Sequence, residues 1–172
     1  MASRSISDLS DKCREKYFLF QSAMNKAGLK FILTCTARLY KEQVALFAQG
    51  RQEIDEVNKL RLVANMAPLP EFNKDGSVII YKPVTWTLYS KHVVDYFDHD
   101  MWVSKADAFD IALVYPNMSN KIYYDLKIDV DGDKINDYEE AARIGESVGL
   151  KPGMRFKDKK GNPNPDPAHF EI

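Results

Sequence analysis

Apolar residues recur at helical spacing at Cys13, Tyr17, Phe20 and Met24, a stripe that predicts a helix with one buried face over residues 11–27. Gly28 is placed to end it. Residues 30–36, rich in β-branched and aromatic side chains, predict a strand. Residues 40–48 predict a second helix, stopped at Gly50. Pro68, Pro70 and Pro83 make residues 66–83 an irregular connection. Residues 84–89 and 108–115 predict two further strands, with a polar and aromatic insertion over 93–105 between them. Residues 137–148 predict a helix, with Asp137 as its cap, Glu140 three residues on as in a capping box, and Gly149 as its stop. Residues 151–167 read as loop and 169–172 as a short terminal strand. Helices and strands are interspersed without a βαβ rhythm, so the expected fold class is α+β, a small central antiparallel sheet with flanking helices.

Composition narrows the classes. A chain of 172 residues fits one domain over residues 1–172 with one core. Apolar residues at 45% and charged residues at 28% match an ordinary globular protein. A net charge of −1 argues against a dedicated nucleic-acid binder. No apolar run is long enough to span a membrane, and residues 1–16 carry no signal-peptide stretch, so a cytoplasmic protein is expected unless another device exports it. Cys13 and Cys35, both in apolar patterns, are expected as buried free thiols. A monomer is the default expectation.

The chemistry centres on few residues. The histidines are His92, His99 and His169. Ser90, Lys91 and His92 follow one expected strand, Asp110 lies within another, and Asp166 and His169 close the chain. A catalytic zinc needs three ligands of the His/Asp/Glu type and an open position for water. It also needs a nearby carboxylate to accept the water proton. Asp166 and His169, three residues apart, could present a base and a ligand to one ion.

An ordered set of short motifs gives this inventory a context: Thr36, Ala37 and Arg38; Glu42 and Gln43; Ser90, Lys91 and His92; Ala108, Phe109, Asp110 and Ile111; and Asp166, Pro167, Ala168 and His169. In that order the chain resembles the zinc D-Ala-D-Ala carboxypeptidase and L-alanyl-D-glutamate endopeptidase family, which includes VanY-like enzymes and phage endolysins. The resemblance implies His92, Asp110 and His169 as zinc ligands, Asp166 as catalytic base, and Arg38 as the group that binds a substrate carboxylate or steadies the oxyanion. It implies supporting roles for Ser90, Gln43 and Glu171. The activity it implies is cleavage of a peptidoglycan stem peptide by zinc-activated water, with no covalent acyl-enzyme. The leading expectation is an L-alanyl-D-glutamate endopeptidase of the endolysin sort, cytoplasmic until released to the cell wall. A D-Ala-D-Ala carboxypeptidase or dipeptidase on the same scaffold is the close alternative, and a non-catalytic wall-binding module the distant one.

One departure bears on the middle ligand. The family pattern spaces the first His and the Asp by about seven residues. Here His92 and Asp110 are eighteen apart. The added stretch brings Asp95, Asp98, His99 and Asp100, and His99 is the rival ligand. Asp110 is preferred for its apolar strand context, with the insertion bulging as a loop between adjacent strands. Its Tyr96, Phe97, Met101 and Trp102 either line the cleft or form a lid packed on the core.

A second metal is suggested by Asp129, Asp131, Asp133, Asp137 and Glu140, at positions 1, 3, 5, 9 and 12 of an EF-hand-type calcium loop in which Lys134 replaces the usual Gly. The other reading is an acidic turn leading into a capped helix. Finally, the basic stretch 155–160 is either a solvated loop or a contact for anionic wall polymers.

Overall fold

The structure is a computed structural model and describes residues 2–116, 118 and 121–172. It is α+β, as the pattern predicts, with helices packed around an antiparallel sheet. The central strand β6 (Ala108–Val114) pairs along one edge with β1 (Lys30–Cys35). Its other edge pairs with β9 (His169–Glu171) and, further along, with β7 (Ile122–Tyr123). The short β8 (Lys151–Pro152) extends the sheet beyond β9.

Strand alternation divides the chemistry from the core. Phe109, Ile111 and Leu113 of β6 are wholly buried, as is Phe170 of β9. Helix α1 (Asp11–Lys26) covers this face with the expected stripe of Cys13, Tyr17, Phe20 and Met24. The Phe20 ring lies 5.7 Å from Phe109 and 4.7 Å from Phe170. Each such ring stabilises the fold by about 1.5–3 kcal/mol through burial. The opposite face of β6 presents Ala108, Asp110 and Ala112, two small residues flanking a carboxylate.

Strand β1 carries an irregularity between Leu33 and Cys35. Leu33 stands opposite Ile111, on the core face, while Cys35 stands opposite Asp110, on the other. A bulge re-aims a side chain in this way by adding one residue to the count. Beyond it, β2 (Arg38–Leu39) runs parallel to β3 (Val93–Val94), and Arg38 donates its backbone N–H to the His92 carbonyl. That pairing ties the segment bearing Arg38 to the segment bearing His92. Helix α2 (Tyr40–Ala48) follows at once.

Three local expectations are corrected. Residues 84–89 form no strand and bend at Val84, Trp86, Leu88 and Tyr89. Instead of a neighbouring strand, side chains take their carbonyls: Arg51 donates to Thr85 and Gln43 to Thr87. Helix α3 (Ile54–Val63) stands where no helix was expected. Val57 is its one buried residue, so the apolar stripe is too thin to read, although Asp55 and Glu56 at its start and Arg61 at its end suit the helix dipole. In helix α4 (Asp137–Ser147) Asn136 is the N-cap and no side-chain cap bond forms. The Asp137 carboxylate is drawn elsewhere, accepting from Tyr123 Oη and from the Val130 N–H.

The 93–105 insertion is mostly a hairpin rather than a loop. Strands β4 (Tyr96–Asp98) and β5 (Met101–Val103) are joined through His99 and Asp100, both at positive φ, as a tight two-residue turn requires. Residues 151–167 likewise hold β8 and a 3-10 turn, Gly153–Arg155.

Candidate metal centre

The β6–β9 register sets Asp110 directly opposite His169, so both side chains leave the sheet on the same face. His92 reaches them from the turn that precedes β3. His92 Nε2 lies 2.9 Å from Asp110 Oδ1 and 3.1 Å from His169 Nδ1, and His169 Nδ1 lies 3.1 Å from the same Asp110 oxygen. Three potential ligand atoms thus form a nearly equilateral triangle.

The far nitrogens of both imidazoles are pinned to groups that can only accept. His92 Nδ1 donates to the Thr36 carbonyl at 2.9 Å, and His169 Nε2 donates to Glu171 Oε2 at 3.1 Å. Those nitrogens therefore carry protons, and the nitrogens left for a metal are the two in the triangle. Glu171 is itself held by Lys151 Nζ at 2.6 Å.

Cys35, His92 and Asp110 also bring ligand atoms within 4.8 Å of one another, a group compatible with a metal. The Cys35 sulfur, however, lies 3.7 Å from His92 Nδ1, the nitrogen already committed to Thr36. The same sulfur lies 3.9 Å from Arg38 Nη2.

The donor set fits zinc chemically: two imidazoles, one carboxylate and an open side. Zinc bonds of 2.0–2.1 Å in tetrahedral geometry set ligand atoms about 3.3 Å apart, a few tenths more than the present triangle. A small outward movement of the three side chains would accommodate the ion.

Electrostatics bind the cluster together. Burial alone would push His92 down, but hydrogen bonding with Asp110 and Cys35 outweighs it and holds the imidazole up at about 10. Burial would raise Asp110, yet the two histidines keep it well below the usual carboxylate range. His169 is raised against its burial by Asp110 and Glu171. Glu171, despite burial, is lowered to about 2 by His169 and Lys151. At pH 7 the metal-free His92 is thus protonated, and a metal must displace that proton. Loading of a metal through this nitrogen should release at least about one proton, and apparent affinity should rise with pH until about 10. Calorimetry in two buffers of different ionisation enthalpy checks this; identical heats in both would refute it.

The triangle opens on a cleft of about 870 Å³ lined by Arg38, Ser90, Lys157, Asp166 and the irregular wall of Thr85, Trp86 and Tyr89. Asp166 is part of this lining, with its carboxyl pushed up by partial burial and then by the negative Asp110. Arg38 Nη1 donates to Gln43 Oε1 at 2.8 Å. Gln43, fully buried, donates its own Nε2 to Thr85 Oγ1 at 3.0 Å and to the Thr87 carbonyl at 2.5 Å. One amide therefore fixes both the guanidinium and the wall across from it. Ser90 Oγ accepts from the His92 N–H at 3.4 Å, a long contact in the turn that presents the imidazole.

His99 lies away from this centre. Its side chain is 94% exposed at the hairpin tip and bonds to Asp98 at 2.7 Å. Among the described residues, neither Tyr96, Phe97, Met101 nor Trp102 lines the cleft. Phe97 and Trp102 pack on each other in solvent, 52–71% exposed, so they do not form a lid on the core either. Tyr96 stacks with Tyr40, which stacks with the cleft residue Tyr89.

Gly153 belongs to none of the sequence motifs, yet it shapes the site. A Cβ there would overlap the Asp166 carbonyl oxygen and stand 2.9 Å from His169 Cβ. The Gly153 carbonyl also accepts the Asp166 N–H at 2.9 Å. Gly153 thus lets the turn carrying Asp166 and His169 close against the chain. Gly153→Ala should destabilise the protein by about 1–3 kcal/mol and weaken zinc binding. Unchanged thermal melting and zinc titration would contradict this.

In the calcium-type loop, Asp129 accepts the N–H groups of Gly132 and Lys134, and Lys134 adopts φ +72°, the left-handed conformation that Gly would take at that position. Asp129, Asp131 and Asp137, and separately Asp131, Asp133 and Glu140, bring oxygens within 4.8 Å of one another. Glu140 Oε2 is fully buried without a hydrogen-bond partner. Burial, followed by the surrounding aspartates, pushes its carboxyl up.

Among the described residues no helix is long and apolar enough to cross a membrane. Comparison with protein-family models and with curated proteins finds no match for this chain.

Proposed function

We propose that the protein is a zinc peptidase of bacterial cell-wall peptides, an L-alanyl-D-glutamate endopeptidase of the endolysin kind. The observation that carries this reading is the triangle of His92 Nε2, Asp110 Oδ1 and His169 Nδ1, with both far nitrogens anchored, opening on a cleft that also holds Asp166 and Arg38. Zinc held there would lower the pKa of a water and polarise the scissile carbonyl. Asp166 takes the proton of the attacking water and then delivers it to the leaving amine. A carboxyl raised above its ordinary value suits this double duty better than an unperturbed one. Arg38 supplies a planar, permanently charged fork for a substrate carboxylate or the developing oxyanion. Gln43 keeps that fork aimed.

The test is zinc analysis of the purified protein joined to digestion of isolated cell walls. Fragments with new N-terminal D-glutamate support the endopeptidase. Release of free D-alanine instead would move the assignment to a carboxypeptidase. A zinc-loaded protein that yields neither product would sink the peptidase reading.

We also propose that the 129–140 loop binds calcium through Asp129, Asp131, Asp133, Asp137 and Glu140. The buried, unpartnered Glu140 oxygen supports this, since a divalent cation would satisfy it and relieve the crowding of like charges. Asp137, whose carboxylate lies within 4.8 Å of those of Asp129 and Asp131, also ties the loop to Tyr123 and to the Val130 N–H. Calcium should raise the melting temperature of the wild type, and Glu140→Gln should abolish that rise. No calorimetric binding to metal-free protein at millimolar calcium would end the proposal.

A further inference from the structure

The cleft has a charge pattern that the reaction does not use. Five lysine and arginine side chains line it: Arg38, Lys91, Lys151, Arg155 and Lys157. Two are committed. Lys151 is paired with Glu171, and Arg155 with Glu139 and Glu146. The other three have no carboxylate partner among the described residues. Arg38 is held by a neutral amide and is assigned to the reaction. Lys91 and Lys157 remain.

Their backbones are fixed although their side chains are free. Lys91 directly precedes His92, and its carbonyl accepts the Asp107 N–H at 2.9 Å. Lys157 follows Phe156, whose ring packs 5.3 Å from His169. It sits at the base of a tight hairpin: Lys157 bridges Pro163, and Asp158 accepts the N–H groups of Lys160 and Asn162. The hairpin then returns through Asn164 to Asp166. Two unpaired ammonium groups are thus presented from the two segments that carry the metal ligands His92 and His169. Of the basic stretch 155–160, Lys157 is turned to the cleft while Arg155 is consumed by ion pairs and Lys160 is not part of the lining.

Resting on the endopeptidase reading, we propose that Lys91 and Lys157 select stem peptides with a carboxylate on the side chain of the third residue, and that Lys157 is the main specificity-determining group. Arg38 takes the carboxylate beside the scissile bond; the two lysines take the next one along. A diaminopimelate residue supplies that carboxylate. A lysine in its place supplies only an ammonium, which these cations repel.

The experiment uses the zinc-loaded protein and two synthetic peptides, L-alanyl-γ-D-glutamyl-diaminopimelate and L-alanyl-γ-D-glutamyl-lysine. The wild type should cleave the first with a kcat/KM about 2- to 5-fold higher, mostly through KM, the range of one solvent-exposed charge pair. Lys157→Met should remove most of that preference by raising KM for the diaminopimelate peptide, with kcat for the lysine peptide retained. Lys160→Met, which removes the same charge outside the cleft, should keep the preference. Equal cleavage of both peptides by the wild type, or a preference that survives Lys157→Met, overturns the proposal. If neither peptide is cut, the endopeptidase reading fails by itself. Calorimetric affinities of the two peptides then decide the carboxylate preference, and equal values reject it.

Discussion

Asp166→Asn should lower kcat for wall-peptide cleavage by about 10²–10⁴-fold and leave zinc content unchanged. The two halves of that expectation rest on different atoms. The side chain of Asp166 is absent from the triangle formed by His92, Asp110 and His169, so its loss removes no ligand. Its backbone is another matter, because the Asp166 N–H donates to Gly153 and its carbonyl accepts from the His169 N–H. Asn preserves both bonds and nearly the same volume, whereas a change at Gly153 would disturb them. The amide cannot take a proton from water at neutral pH, so the chemical step fails with the architecture intact. A pH profile adds a second readout. The wild-type acidic limb should follow a carboxyl raised above its usual value, and that limb should vanish from whatever activity the variant retains. Wild-type rates in Asp166→Asn, or loss of zinc with loss of activity, would remove Asp166 from the role of base.

How much of this was legible in the chain depends on whether the physics is local. The α1 stripe of Cys13, Tyr17, Phe20 and Met24 is buried as its period predicts, because one helix face is a property of a short window. Helix α2 and strands β1, β6 and β9 follow for the same reason. Residues 84–89 had strand-like composition, yet a strand also needs a partner, and Arg51 and Gln43 side chains took the carbonyls a partner would have used. Asp137 had a capping position but found a stronger tertiary use at Tyr123. The site divides in the same way. The residue types of His92, Asp110, Asp166 and His169 could be chosen from their motifs. Their meeting depends on the β6–β9 register, and the approach of Cys35 on a bulge in β1. Thr36, Lys151 and Gly153 act through a carbonyl, an ion pair behind Glu171 and a missing side chain, none of which leaves a mark in the pattern of residues.

Asp110→Ala should abolish stoichiometric zinc binding, while His99→Ala should bind zinc and cleave substrate as the wild type does. The spacing of residues alone left these two as competitors for one ligand position. In the fold they lie on different structures. Asp110 belongs to the central strand, flanked by Cys35 on one side and His169 on the other. His99 sits in the two-residue turn of an exposed hairpin, at φ +44°, with its ring bonded to Asp98. Loss of an outer hydrogen-bonding partner of a ligand costs about 10–100-fold in metal affinity, so loss of the ligand itself should exceed that range. The same variant carries a signature that does not depend on activity. Asp110, together with Cys35, holds the buried His92 in its charged form against burial, so its loss shifts the balance toward the neutral imidazole. Any residual zinc binding by Asp110→Ala should therefore release fewer protons than binding by the wild type. Zinc loss in His99→Ala with retention in Asp110→Ala would exchange the two assignments and place the metal at the hairpin instead of the sheet.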